Sequence, residues 1–186
     1  MNTVKVRNVE IGPGIPKVCV PIVGSTREEI LSAVRTIASI GADVVEWRAD
    51  WYEDIFDFSK AEETLKELRK VLGETPLLFT FRTKSEGGKV ALAHEEYLHF
   101  IHTVFATDCA DLIDIEFFTA GAELPALIEE AHTAGAAVVC SSHDFHKTPP
   151  RAELVSRMVA MQRAGADLPK LAVMPQSRTD VLELLA

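Results

Sequence analysis

The 186-residue chain is 47% apolar and 25% charged, an ordinary globular composition with length enough for one sizeable core, so a single domain over residues 1–186 is expected. Its formal net charge of −9 excludes nucleic acid and anionic membrane as partners, because the long-range field repels both; an anionic small substrate would need local cationic anchors. Apolar runs no longer than a strand, and charge mixed among the valines at the N-terminus, exclude a membrane span and a signal sequence and point to the cytoplasm.

Val4 to Ile11 alternates apolar and polar residues and stops at Gly12-Pro13-Gly14, which reads as a strand or β-hairpin ahead of the first repeating unit. Strand-length, β-branched runs then recur at Lys17 to Val23, Asp43 to Arg48, Pro76 to Arg82, Leu112 to Glu116, Ala136 to Ser141 and Leu168 to Val173, separated by segments of helical period. Ser25 with Glu28 forms a capping-box pattern ahead of Ile30, Val34 and Ile37. Ser59 with Glu62, ahead of Leu65, Leu68 and Leu72 and stopped by Gly73, reads the same way. Gly41, Gly135 and Gly165 each close a helix and lead directly into a strand.

Strand-then-helix units at intervals of about 25 to 35 residues are the pattern of βαβ crossovers in a parallel sheet. Polar residues stand at many strand ends: Glu46, Arg48, Arg82 and Glu116, with His143 just past the fifth run. That distribution favours a barrel over an open dinucleotide-type sheet, and no phosphate-cradling glycine-rich turn follows any strand. The expected fold is therefore α/β, a (β/α)8 TIM barrel with about six of the eight units present, preceded by the N-terminal hairpin.

Lys170 is embedded in an otherwise apolar strand, Leu168 to Val173, where lost hydration would favour a neutral, nucleophilic amine suited to imine formation. The bland alternative is a lysine snorkelling from a sheet edge. His143 closes the run Val138 to Asp144, where barrel enzymes keep acid and base groups; His146 competes, but loop position gives it more freedom than a general base should have. Glu86, in a loop followed by Gly87-Gly88, is placed to orient His143. Glu46 and Arg48 share one strand face and can pair with each other or hold a polar ligand. His94, His99 and His102 lack zinc-binding spacing and read as a solvated face, so no metal is expected. Cys19, Cys109 and Cys140 are far apart, and Cys19 and Cys140 lie in apolar runs, so buried free thiols are expected.

The segments Val45-Glu46-Trp47-Arg48-Ala49-Asp50, Leu77 to Arg82 with Glu86-Gly87-Gly88, Ser142-His143-Asp144-Phe145-His146-Lys147-Thr148-Pro149, and Met161 through Lys170 to Gln176 are collinear and specific as a set. In them the chain resembles type I 3-dehydroquinate dehydratase, the Schiff-base dehydroquinase of the shikimate pathway. The resemblance implies a cofactor-free and metal-free barrel, usually a homodimer, that converts 3-dehydroquinate to 3-dehydroshikimate and water by syn elimination. It implies Lys170 as the imine-forming lysine, His143 as general acid and base, and Glu86 as the carboxylate that assists it. Glu46, Arg48 and Arg82 match substrate-binding positions.

Two departures from that pattern stand out. Pro21 occupies a position where some members carry a serine near substrate. The chain also stops in its sixth helix, so the last two strands, an arginine clamp for the substrate carboxylate, and a loop serine and glutamine are expected to be missing, and this chain alone to be weakly active or inactive. The alternatives are a class I aldolase-like Schiff-base barrel and a non-catalytic barrel fragment.

Overall fold

Short runs of β-branched and aromatic residues lie side by side as parallel strands in the computed structural model, which describes residues 3–185. The chain opens with an antiparallel hairpin, β1 (Val4–Val6) and β2 (Val9–Ile11), turning at Arg7 in the left-handed region. Six parallel strands follow in sequence order: β3 (Cys19–Ile22), β4 (Val44–Arg48), β5 (Leu77–Thr80), β6 (Leu112–Glu116), β7 (Ala137–Asp144) and β8 (Leu168–Val173). Between and after them run α1 (Arg27–Ile40), α2 (Phe58–Leu72), α3 (His94–Phe105), the short α4 (Phe117–Ala120), α5 (Leu124–Thr133), α6 (Arg151–Arg163) and α7 (Arg178–Leu185). The sheet curls into a half-barrel with β3 and β8 at its two edges among the described residues. Both edge strands carry a proline, Pro21 and Pro169, a residue that the four central strands lack and that a sheet interior tolerates poorly.

Strand alternation divides the sheet into two faces with different contents. Val45, Trp47, Phe79, Ile113, Ile115, Val138 and Cys140 point outward and pack with the buried stripes of the helices, such as Ile30, Val34, Leu65, Leu68, Ile101 and Leu127. Val44, Leu78, Leu112 and Val139 point inward near the N-terminal ends of their strands and pack with Val6 of the hairpin, Leu168 lying against them. The hairpin therefore floors the half-barrel. Arg7 Nε, 2.5 Å from Asp111 Oδ1, ties it to the start of β6, and Arg69 of α2 holds the other oxygen of the same carboxylate.

Several local expectations shift by a residue or two. The capping box of α1 is Thr26 with Glu29 rather than Ser25 with Glu28, because the chain is still extended at Thr26, and Ser25 donates to the same Glu29 carboxylate. The cap of α2 is Asp57, two residues before Ser59. β5 ends at Thr80, so Arg82 lies beyond it. β7 runs on to Asp144, where it pairs with Val173, so His143 stands within the strand rather than after it. Cys109 and Cys140 are buried, but Cys19 is exposed because β3 has no neighbour on its outer side among the described residues.

The floor is close-packed, so a hole in it should be felt through the whole sheet. Leu112→Ala, at a side chain 1% exposed, should lower unfolding free energy by about 2–5 kcal/mol, measured by urea titration, and a loss under about 1 kcal/mol would show the floor able to collapse around the gap.

Candidate active site

One step above the apolar floor, the inward positions become polar: Glu46 on β4, Thr80 on β5, Asp114 on β6, Ser141 on β7 and Lys170 on β8. A cavity of about 340 Å³ reaches from the hairpin up to Glu46 and Lys170. Lys170 Nζ donates to Asp114 Oδ2 at 3.3 Å and lies 3.9 Å from Glu46 Oε1, which itself accepts from Thr80 Oγ1 at 2.7 Å. The side chain is 36% exposed. This differs from the apolar enclosure expected of Lys170. Leu171, its apolar neighbour in sequence, packs on the outer face, as the two-residue period of a strand requires, and leaves the ammonium facing two carboxylates.

Arg82 forms the centre of the next layer. Its side chain is only 4% exposed. Nη1 donates to Glu116 Oε1 at 3.0 Å and to Ser141 Oγ at 2.9 Å, Nη2 lies 2.8 Å from Asp114 Oδ1, and Glu86 Oε2 is 3.5 Å away. Burial opposes the guanidinium's charge, but Asp114, Glu116 and Glu86 outweigh it and raise the pKa. The Nη2 contact with Asp114 is one of charge rather than of alignment, for Nη2 has no aligned acceptor among the described residues. Asp114 is itself fully buried. Its pKa is lowered although desolvation pushes the other way, because Arg82, Lys170 and the Ser141 hydroxyl, 2.6 Å from Oδ1, favour the carboxylate.

His143 and Glu86 make a close pair beside this network. Glu86 ends a 3-10 turn (Lys84–Glu86), and its Oε2 lies 2.9 Å from His143 Nδ1 and accepts from His143 N at 3.2 Å. Glu86 is buried, 5% exposed. Burial pushes both partners toward their uncharged forms: His143 falls from 6.5 to about 4, with Arg82 and Lys170 adding to the effect, and Glu86 rises to about 7 against the opposing pull of Arg82. The glycines after Glu86 are dictated by contact. A Cβ on Gly88 would lie 1.7 Å from the Arg82 carbonyl oxygen, and one on Gly87, at φ +86°, would lie 2.2 Å from the Phe145 ring. That ring stacks on His143 at 11° and 6.3 Å between centroids. Register completes the placement: Ser141 is opposite Lys170, so His143, two residues on, stands one inward position further up the neighbouring strand.

Glu46 and Arg48 do not pair with each other. Arg48 is engaged by the buried Asp50 at 2.8 and 2.9 Å, while Glu46 turns to Thr80 and Lys170. His146 is exposed and uses its backbone N–H to close a turn on Asp144. His94, His99 and His102 are exposed and go separate ways, to Thr119 O, the Phe58 ring and Glu130. Asp114, Ser141 and Asp50 carry the site's connections without having been singled out. The signal for Asp114 was present, a carboxylate between Ile113 and Ile115 in a strand buried on both faces.

A family model for type I 3-dehydroquinase matches residues 18–186. The chain belongs to that family. A 3-dehydroquinate dehydratase of Listeria welshimeri is 50% identical over 185 residues, covering 100% of this chain and 73% of its own length, and one of Clostridium botulinum is 47% identical over 98% of this chain and 72% of its own. Among solved structures, a type I 3-dehydroquinate dehydratase of Clostridium difficile with covalently modified comenic acid superposes with a TM-score of 0.95 at 41% identity, covering 99% of this chain and 73% of that one. The enzyme of Enterococcus faecalis gives 0.94 at 45%, covering 98% and 76%. An aldolase at 18% identity and a TM-score of 0.59 shares the fold alone. No helix among the described residues is long and apolar enough to cross a membrane.

The downward shift of His143 means that its imidazole stays neutral, as a base must, through the whole neutral range. In nitrogen-correlated NMR of the ligand-free chain, with His143→Gln to assign the signal, the ring should titrate near 4. A midpoint at or above the ordinary 6.5 would show the ring to be hydrated and the pair open.

Proposed function

We propose that this chain dehydrates 3-dehydroquinate to 3-dehydroshikimate through an imine on Lys170. The observation that carries the reading is an amine on the inner wall of a half-barrel with a buried His143–Glu86 pair on the adjacent strand, in a chain of the type I 3-dehydroquinase family. The Lys170 ammonium gives up a proton, its amine adds to the substrate's ketone carbon, and water leaves as the proton is taken back, forming a protonated imine. That cation withdraws electrons from the neighbouring carbon and acidifies its proton. His143 removes the proton, the electron pair forms the new double bond, and the hydroxyl departs with the proton returned by His143, so that one water is eliminated. A second water then hydrolyses the imine and restores the amine, balancing the water lost when the imine formed.

As a carboxylate, Glu86 accepts from Nδ1–H and so leaves Nε2 as the working nitrogen. Arg82, Arg48 and Glu46 hold the substrate in this reading. Arg82 retains a buried Nη2 without an aligned acceptor, and Glu46 stands beside Lys170. The enzyme acts as a lyase of the shikimate route, in the cytoplasm, as a homodimer and without a cofactor.

Borohydride reduction in the presence of 3-dehydroquinate should add the ligand's mass to the Lys170 peptide, a readout that does not require turnover. Trapping that persists in Lys170→Ala would refute the assignment. In an active form of the enzyme, His143→Ala should still form the imine but slow proton transfer by roughly 100-fold or more. His146→Ala should leave the rate near that of the unaltered protein, and a crippled His146→Ala enzyme would move the base to the loop.

A further inference from the structure

Glu116 has no role in the chemistry above, yet its carboxylate accepts four hydrogen bonds. It closes β6 with its side chain fully buried. Oε1 accepts from Arg82 Nη1 at 3.0 Å and from the Thr83 backbone N–H at 2.8 Å, and Oε2 accepts from Thr83 Oγ1 at 2.7 Å and Thr119 Oγ1 at 2.5 Å. Its own backbone N–H is held by the hydroxyl of the buried Tyr97 at 2.9 Å. Thr83 is the residue from which the Lys84–Glu86 turn departs, its carbonyl accepting from Glu86 N at 3.1 Å and Gly88 N at 2.8 Å. One carboxylate thus grips the arginine at the end of the β5 segment and the first residue of the turn that presents Glu86 to His143.

We propose that Glu116 is the positioning residue of this site, setting the substrate-binding Arg82 through its guanidinium and the Glu86–His143 pair through Thr83. The proposal deepens the dehydratase reading and rests on it for its kinetic consequences alone, since the geometry of the Glu86–His143 pair can be read without substrate. Replacing the carboxylate by an amide turns part of its acceptor capacity into a donor facing Thr83 or Arg82, and leaves the guanidinium with fewer counter-charges. Arg82 should shift and the turn loosen together. A residue that merely filled space would weaken the fold without moving either.

The variants are Glu116→Gln, Thr83→Val, which removes only the hydroxyl, and Thr83→Ser, which restores it. In Glu116→Gln, kcat/KM should fall by about 10- to 100-fold, the range seen when hydrogen-bonded support is taken from an active group, with KM raised through Arg82 and kcat lowered through His143. Thr83→Val should lower kcat with little change in KM, and Thr83→Ser should recover most of the loss. The second readout is the His143 titration of each folded variant. Burial, Arg82 and Lys170 press the pKa of that ring down, Asp114 and Glu116 press it up, and Glu86 holds its Nδ1 at 2.9 Å. Removing the Glu116 charge by itself lowers the midpoint, so the informative variant is the uncharged Thr83→Val, in which loosening of the turn that presents Glu86 should hydrate the ring and move its midpoint up toward 6.5. A folded Glu116→Gln with unaltered kcat and KM overturns the proposal, whatever its Tm. If Glu116→Gln does not fold, Thr83→Val decides, and normal kcat there overturns it. Should the parent chain form no reducible imine, the dehydratase reading fails separately, and the His143 midpoint of Thr83→Val still decides whether Glu116 positions the pair through Thr83.

Discussion

A guanidinium that is 4% exposed has to be surrounded by negative charge, and much of the upper half-barrel is arranged around meeting that demand for Arg82. Breaking one partner from a buried ion pair typically costs about 3–5 kcal/mol, because the remaining charge is stranded without water. Asp114 and Glu116 share this load from one strand, and Ser141 adds a hydroxyl from the next. Asp114 then reaches Lys170 on the far side, so the cation of the arginine and the cation of the lysine are bridged by a single carboxylate. Moving any member displaces the others. This is why the acidic and basic groups of the site come from strands β4, β6, β7 and β8 and from the segment just past β5, rather than from one loop.

The same burial acts in the opposite sense on the neighbouring pair. Desolvation outweighs the other influences on His143 and Glu86, including the pull of Arg82 on the carboxylate, and shifts each toward its neutral form. A neutral imidazole is a base ready to take a proton at neutral pH, and the Glu86 carboxylate, accepting from Nδ1–H, fixes Nε2 as the nitrogen that does so. The contrast between a charged cluster and a pair pushed toward neutrality follows from where each group's partners lie. It supplies both a cationic anchor and a proton acceptor inside a chain of net charge −9.

Much of this was legible in order along the chain. Apolar runs between helical segments, with glycine closing helices, read as parallel βαβ units, and strand-end polar residues pointed to a barrel; Lys170, His143, Glu86 and Arg82 were all visible as polar residues in or beside such runs. The collinear motifs pointed to the family that the comparisons then established. What could not be read were the pairings. Glu46 and Arg48, alternate residues of one strand, looked like partners, but each found a closer one, at Thr80 across the sheet and at Asp50 in the turn that follows. The caps of α1 and α2 slipped by one and two residues because neighbouring serine, threonine and aspartate compete for the same role, and backbone entry decides among them.

The sequence by itself determined the alternation of inward and outward residues, since side chains in a strand change faces at every step. It thereby determined that Val44, Leu78, Leu112 and Val139 would share one face with Glu46, Asp114, Ser141 and Lys170. Only the tertiary structure decided the height at which these residues meet. Register between β7 and β8 sets Ser141 opposite Lys170, and the continuation of β7 to Asp144 brings His143 into the strand. It also decided that Lys170 faces carboxylates rather than apolar groups, and that Glu116 binds both Arg82 and Thr83. Those outcomes depend on stagger between strands and on side chains about 30 or more residues apart, distances over which local propensity carries no information.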